Sequence, residues 1–129
     1  ERRDRRLYLA EALTKSNQPV KAQALLKPLT EQQPSDRYAW QTLQLANEKL
    51  AKTTDSASLK SIATINALRY RSHDQLWSGR YESALTSLTQ AKQLTEKLQT
   101  TAQAGSARPL LANINAEIKA VKTAKDFEP

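Results

Sequence analysis

The break Trp77-Ser78-Gly79-Arg80-Tyr81 constrains this chain more than any other stretch. Gly79 is one of two glycines in 129 residues. It separates two long runs whose apolar residues recur every three or four positions, which is a helical period. A glycine just past a helix lets the chain turn through a left-handed conformation that other residues resist. Ser16-Asn17-Gln18-Pro19 makes a second break between two similar runs. Pro19 suits the first turn of a helix, where its missing N–H has no intrahelical partner to lose. A chain punctuated in this way folds as helical hairpins.

Composition agrees. Ala, Leu, Lys, Gln and Glu are abundant, while Val, Ile, Phe, Tyr and Trp are sparse, which favours helix over sheet. The periodicity predicts six helices, over roughly 2–15, 18–32, 36–53, 57–78, 81–100 and 107–123. Ser35 or Asp36 caps the third, and Asp55 or Ser56 the fourth. The expected inward residues include Leu7, Leu9, Ala10 and Leu13 in the first helix. They include Tyr38, Trp40, Leu43, Ala46 and Leu50 in the third. Leu59 and Ile65 belong to the fourth, and Leu110, Ile114, Ile118 and Val121 to the sixth. Thr100 to Pro109 reads as a loop or a frayed end. One domain spans 1–124, and 125–129 is a tail. With no cysteine there is no disulfide framework and no thiolate metal site. No apolar run approaches the roughly 20 residues of a membrane span.

The two breaks align with one another. Ala22 and Ala84 fall at the same position after their breaks, as small residues where a second helix crosses the first closely. Leu26 and Leu88 follow one turn later and fill the gap beyond. Gly79 ends the earlier helix of its pair, and Tyr81 packs across the turn. The run Gly79, Tyr81, Ala84, Leu88, Ala91 resembles the tetratricopeptide repeat, a helix–turn–helix unit of about 34 residues. Ala10, Ala22, Leu26 and Pro34 match the same pattern earlier in the chain, and Trp40 falls at that family's tryptophan position. The middle unit is irregular, being either shortened or fused. The resemblance implies an all-α, tetratricopeptide-like right-handed array of about six antiparallel helices, the last capping the stack.

A narrower likeness covers the half of the chain from Asn66 onward. The segment 66–98 and the closing Ala112-Asn113-Ile114-Asn115-Ala116-Glu117-Ile118-Lys119-Ala120-Val121 resemble the C-terminal end of repeat-bearing bacterial zinc metallopeptidases. Members of that family act in the periplasm on outer-membrane β-barrel protein quality control. The resemblance implies a non-catalytic interaction module of such a protease. It implies a catalytic zinc domain upstream of residue 1, and protein or peptide partners that include the parent's own protease domain. A repeat scaffold domain of an unrelated regulatory or assembly protein is the alternative.

Catalytic chemistry is poorly served by these residues. A zincin motif needs two histidines one helical turn apart with a glutamate between them, and His73 is the single histidine. No nucleophile has a credible base, no glycine-rich phosphate loop can form, and no cofactor is expected in this segment. The net charge of +7 admits an anionic partner. Arg2, Arg3, Arg5 and Arg6 crowd the start, and Tyr70 lies between Arg69 and Arg71. The cations nevertheless spread over several helix faces without a nucleic-acid signature. The arginine cluster is better placed to meet a preceding domain. Carrying over the repeat family's groove-facing offsets gives a candidate partner-binding groove. It comprises Asp4, Leu7 and Glu11, then Tyr38, Gln41, Leu45 and Glu48, then Asn66, Arg69 and His73.

Overall fold

The computed structural model describes residues 2–127, of which Arg2 only as backbone. Among the described residues the chain is all-helical, with six helices and no strand: α1 (Arg2–Lys15), α2 (Pro19–Gln32), α3 (Arg37–Thr53), α4 (Ala57–Trp77), α5 (Tyr81–Leu98) and α6 (Ala104–Phe127). Each helix packs against the next along the chain, and α1 also touches α3.

The two breaks have the same backbone solution. After α4, Gly79 adopts φ +75. Its N–H donates to the Leu76 carbonyl at 3.0 Å, and the Arg80 N–H donates to that of Gln75 at 2.8 Å. After α1, Asn17 adopts φ 65. Its N–H donates to Thr14 at 3.2 Å, and the Gln18 N–H donates to Leu13 at 2.7 Å. Both are Schellman turns, in which two crossing hydrogen bonds satisfy the last carbonyls of a helix. Asparagine is the residue after glycine that best tolerates this conformation. A Cβ on Gly79 would meet no atom within 4 Å, so only the backbone resists a side chain there. Gly79→Ala is therefore expected to lose about 1 kcal/mol through left-handed strain alone. Gly79→Asn should lose less, and comparison of the two urea midpoints checks this.

The hairpins pack alike as well. Ala22, Leu26, Ala84 and Leu88 are fully buried. Leu29 and Ala91 are buried one turn further on, and Ala10 and Ser72 occupy matching buried places on the preceding helices. Around the first hairpin, Leu7, Ala10, Ala22, Leu26 and Leu29 form a core with Ala39, Leu43 and Ala46 of α3. In the second half, Ile65 of α4 packs with Ala91 and Leu98 of α5 and with Ala107 and Ile114 of α6. Val121 seals Ala84 and Leu88.

Asp36 is the cap of α3, accepting from the Ala39 N–H at 3.3 Å, and Ser56 caps α4 by accepting from the Leu59 N–H at 3.2 Å. Several expectations need correction. The final helix starts at Ala104 and runs through Phe127, so the loop expected over 100–109 shrinks to the turn around Thr101. There Thr101 Oγ1 accepts from the Gln103 N–H at 3.0 Å, which organises the helix start a turn before Pro109. Lys125, Asp126 and Phe127 of the expected tail are helical, and Lys125 pairs with Glu82 of α5; Glu128 and Pro129 lie outside the described residues. Leu9, Tyr38 and Leu59 are exposed rather than inward. In α1 the inward stripe runs through buried Leu7 and Ala10 to half-buried Leu13, which leaves Leu9 on the far side of the helix. In α3 the inward place falls to Ala39, next to Tyr38.

Candidate functional site

The residues of the expected groove fall into local groups, of which Asp4, Leu7 and Tyr38 line one hollow with Arg3 and Tyr8. Leu7 is buried in the first core. Tyr38 donates its hydroxyl to Glu11, joining α3 to α1. Gln41 Nε2 donates to Asp74 Oδ1 of α4 at 2.7 Å. Glu48 accepts from Arg71 of α4 at 3.1 Å and from Gln44 at 3.1 Å. These side chains act as ties between neighbouring helices. Asp4 is exposed beside Arg3, and Leu45 is exposed on α3.

Two acidic groups anchor this network. Arg3 holds Asp36 through two contacts, one of them at 2.8 Å, and its hydrogen bond keeps the Asp36 carboxyl below the usual range. Arg37 does the same for Asp74 across 2.6 Å, with help from Gln41. The basic cluster at the start is thus partly spent inside the fold, since Arg3 ties α1 to α3. The side chain of Arg2 lies outside the described residues.

Asn66, Arg69 and His73 lie on a different stripe of α4. Arg69 Nε and Nη2 meet the two Glu117 carboxylate oxygens of α6 at 2.9 and 3.0 Å. A third nitrogen donates to Asn66 Oδ1 at 3.2 Å. Burial opposes the charge on Arg69, but the paired carboxylate outweighs it and holds the guanidinium above its ordinary value. Arg69 sits where the first hairpin has Leu7. A long ion pair therefore bridges α4 to α6 where a short apolar contact joins α1 to α3. Helix α6 stands further off, and a cleft opens beside the bridge.

That cleft has a volume of about 550 Å³ and draws on four helices. Gln23, Lys27, Thr30 and Glu31 of α2 form one wall. Trp40, Leu43 and Asn47 of α3, Asn66, Arg69 and Tyr70 of α4, and Asn113 of α6 complete the lining. Asn47 is 2% exposed. It accepts from Gln23 Nε2 at 2.7 Å and donates to the Leu43 carbonyl at 2.9 Å. Among the described residues the side chains of Lys27, Glu31 and Asn113 have no hydrogen-bond or ion-pair partner. Trp40 donates its indole N–H to the Pro34 carbonyl at 2.8 Å. The imidazole of His73 stacks on the indole, 4.3 Å between centroids and 6° between planes. Tyr70 tilts against the indole at 5.4 Å.

The histidine has a measurable consequence. Burial pushes the His73 pKa below its ordinary value; the field of Glu117 opposes this, and that of Arg69 reinforces it. Glu117 Oε2 is 4.0 Å from His73 Nε2. The unfolded chain takes up a proton near pH 6.5, before the folded chain does. Stability is full above that pH and falls as pH drops toward the lower folded pKa. Urea unfolding between pH 7.5 and 5.0 should show this slope in the native chain. His73→Gln should flatten it, because His73 is the only histidine.

Of the residues named from sequence, Asn66 and Arg69 line this cleft and His73 stacks on its Trp40; Gln23, Asn47 and Asn113 line it without having been named. One signal was present: Asn47 falls on the buried stripe one position after Ala46, and an amide there needs partners. Among the described residues no group of His, Cys, Asp and Glu is placed to hold a metal ion, and no helix is long and apolar enough to cross a membrane. Comparison of the chain with known protein families, with curated proteins and with solved structures finds no match.

Proposed function

We propose that this chain is a tetratricopeptide-like, non-catalytic protein–protein interaction module. Its parent is a periplasmic zinc metallopeptidase, which it positions on clients or on the outer-membrane assembly machinery. The observation that carries the interaction role is the cleft across α2, α3, α4 and α6. It combines aromatic, amide and hydroxyl groups on a helical frame, and its Lys27, Glu31 and Asn113 side chains have no hydrogen-bond or ion-pair partner among the described residues. The repeat-like arrangement is supported by the two hairpins, which share turn geometry and the Ala22/Ala84 and Leu26/Leu88 packing. The parent's identity is supported by the resemblance of the segments around Tyr81 and Ile114 to the end of such proteases. Zinc and its chemistry belong to the catalytic domain upstream in this reading.

A photo-crosslinking residue at Lys27, on the cleft wall, tests the proposal in envelope extract. Leu59, exposed on α4 and not among the cleft residues, serves as the control position. Outer-membrane assembly components crosslinked from position 27 and not from 59 would support the proposal. Equal crosslinking from both positions, or none from either, would count against the cleft as the partner site.

A further inference from the structure

We infer that His73, Arg69 and Glu117 form an acid-operated switch: a proton on His73 draws one carboxylate oxygen of Glu117 away from Arg69 and leaves the cleft beside α4 with a net positive charge. The switch belongs to three side chains of this fold and is independent of which partner the chain meets.

In the neutral state Arg69 takes both oxygens of Glu117, with Nε 2.9 Å from Oε1 and Nη2 3.0 Å from Oε2. His73 follows Arg69 by four residues, so the two side chains share a face of α4. The imidazole lies flat on the Trp40 indole. Among the described residues neither of its ring nitrogens makes a hydrogen bond. Its Nε2 stands 4.0 Å from Oε2, the oxygen that Arg69 Nη2 also holds. That is about 1 Å beyond a charge-assisted hydrogen bond, and an uncharged imidazole gains little by closing the gap.

Protonation changes the balance. The His73 side chain is only 29% exposed, so its new charge needs solvation from within the fold. The indole face already in contact attracts a cation. Among the described residues the charges acting on His73 are Glu117 of α6, which favours the proton, and Arg69 of α4, which opposes it; α3 and α5 contribute none. The adjacent Asp74 is taken by Arg37 and Gln41. Moving Oε2 toward His73 brings the carboxylate to the new charge and lets Arg69 Nη2 turn away, while Arg69 Nε keeps Oε1. Glu117 then serves two cations, one from each oxygen, and α6 stays attached. Lys27 and Glu31 of the lining carry opposite charges. The added proton therefore appears as one unbalanced positive charge, and the freed Arg69 N–H is a donor for an anion.

The test uses the chain carrying Trp77→Phe, which leaves Trp40 as the only tryptophan. An imidazolium in contact quenches an indole by accepting its excited electron. Trp40 emission should therefore fall in a one-proton step between about pH 7.5 and about pH 5, a range in which histidine is the side chain that ordinarily titrates. The step should be lost in His73→Gln. It should shift to lower pH in Glu117→Gln, which removes the charge that favours the proton. Arginine side-chain nitrogen NMR reads the re-pairing. The Arg69 Nη signals, kept apart by the two-oxygen bridge, should merge across the step while the Nε–H stays protected, and His73→Gln should keep them apart. Sulfate in place of chloride at constant ionic strength should move the step to higher pH, because an anion that prefers the charged cleft holds the proton on. Flat Trp40 emission from a chain that circular dichroism shows to be folded would overturn the switch. So would a step with unchanged Arg69 signals, which is protonation without re-pairing, or a step that coincides with loss of helix, which is unfolding. A step indifferent to sulfate would overturn the cationic cleft.

Discussion

Ile65→Ala is expected to destabilise the chain by about 2–5 kcal/mol, the range for deleting most of a buried aliphatic side chain. Ile65 is fully buried and lies where α4, α5 and α6 meet. Its neighbours Ala91 and Ala107 are small. They have no side chain long enough to swing into the space, so any filling must come from Leu98 or Ile114 of the same cluster, and how far these move sets where in that range the cost falls. Leu110 and Leu111 near the start of α6 are only half-buried, so α6 depends on Ile114, Ile118 and Val121 for its hold on the stack. Loss of Ile65 should therefore loosen α6 before the rest. Urea unfolding gives the total. Hydrogen exchange should show amides of α6 losing protection ahead of those in α1 and α2. Uniform loss of protection along the chain would mean that the two halves unfold as one cooperative unit.

Which parts of this fold were legible in the sequence follows from which forces are local. Helix identity rests on apolar period and propensity, and the break at Gly79 rests on backbone sterics; both are properties of short segments. The alignment of Ala22 with Ala84 and Leu26 with Leu88 was readable because close helix crossing demands one small and one large residue at fixed spacing. The end of α6 was less legible. Lys125 is held by Glu82, a residue on another helix, and no local pattern reports such a pairing.

The candidate site was legible only in part, for the same reason. Asn66, Arg69 and His73 were picked by offset from a repeat pattern, which fixes a helix face but not what stands opposite it. Tyr38, Gln41 and Glu48 were picked by the same rule, yet their polar ends meet Glu11, Asp74 and Arg71 inside the fold. Period and spacing cannot separate a side chain waiting for a ligand from one already satisfied by a neighbouring helix. The stand-off of α6 from α4 was likewise hidden. It depends on Arg69 occupying the place that Leu7 fills in the first hairpin, and on Glu117 lying opposite from far along the chain.

The Arg69–Glu117 bridge gives the second large expected effect, and its sign depends on how it is broken. Glu117→Ala leaves a guanidinium that is 14% exposed without its carboxylate. Removing one member of a well-buried pair costs roughly 3–5 kcal/mol, and partial exposure of both partners here places the loss at about 2–3 kcal/mol. Near 4 °C per kcal/mol for a chain of this size, the melting temperature should drop by roughly 10 °C. Arg69→Leu with Glu117→Leu behaves differently. It removes both charges and installs at position 69 the residue type that the first hairpin carries at Leu7. Replacing a buried pair by apolar residues is often neutral or better, so the double variant should recover most of the lost stability. It should also draw α6 toward α4 and narrow the cleft beside Asn113. Thermal melts of Arg69→Leu, Glu117→Leu and the double variant form the cycle, with Glu117→Ala as the truncation beside it. A double variant as unstable as Glu117→Ala would show that the bridge supplies stability that packing cannot replace. Recovered stability would assign the pair a spacing role, with an ion pair kept where leucine would fold as well because leucine would close the cleft.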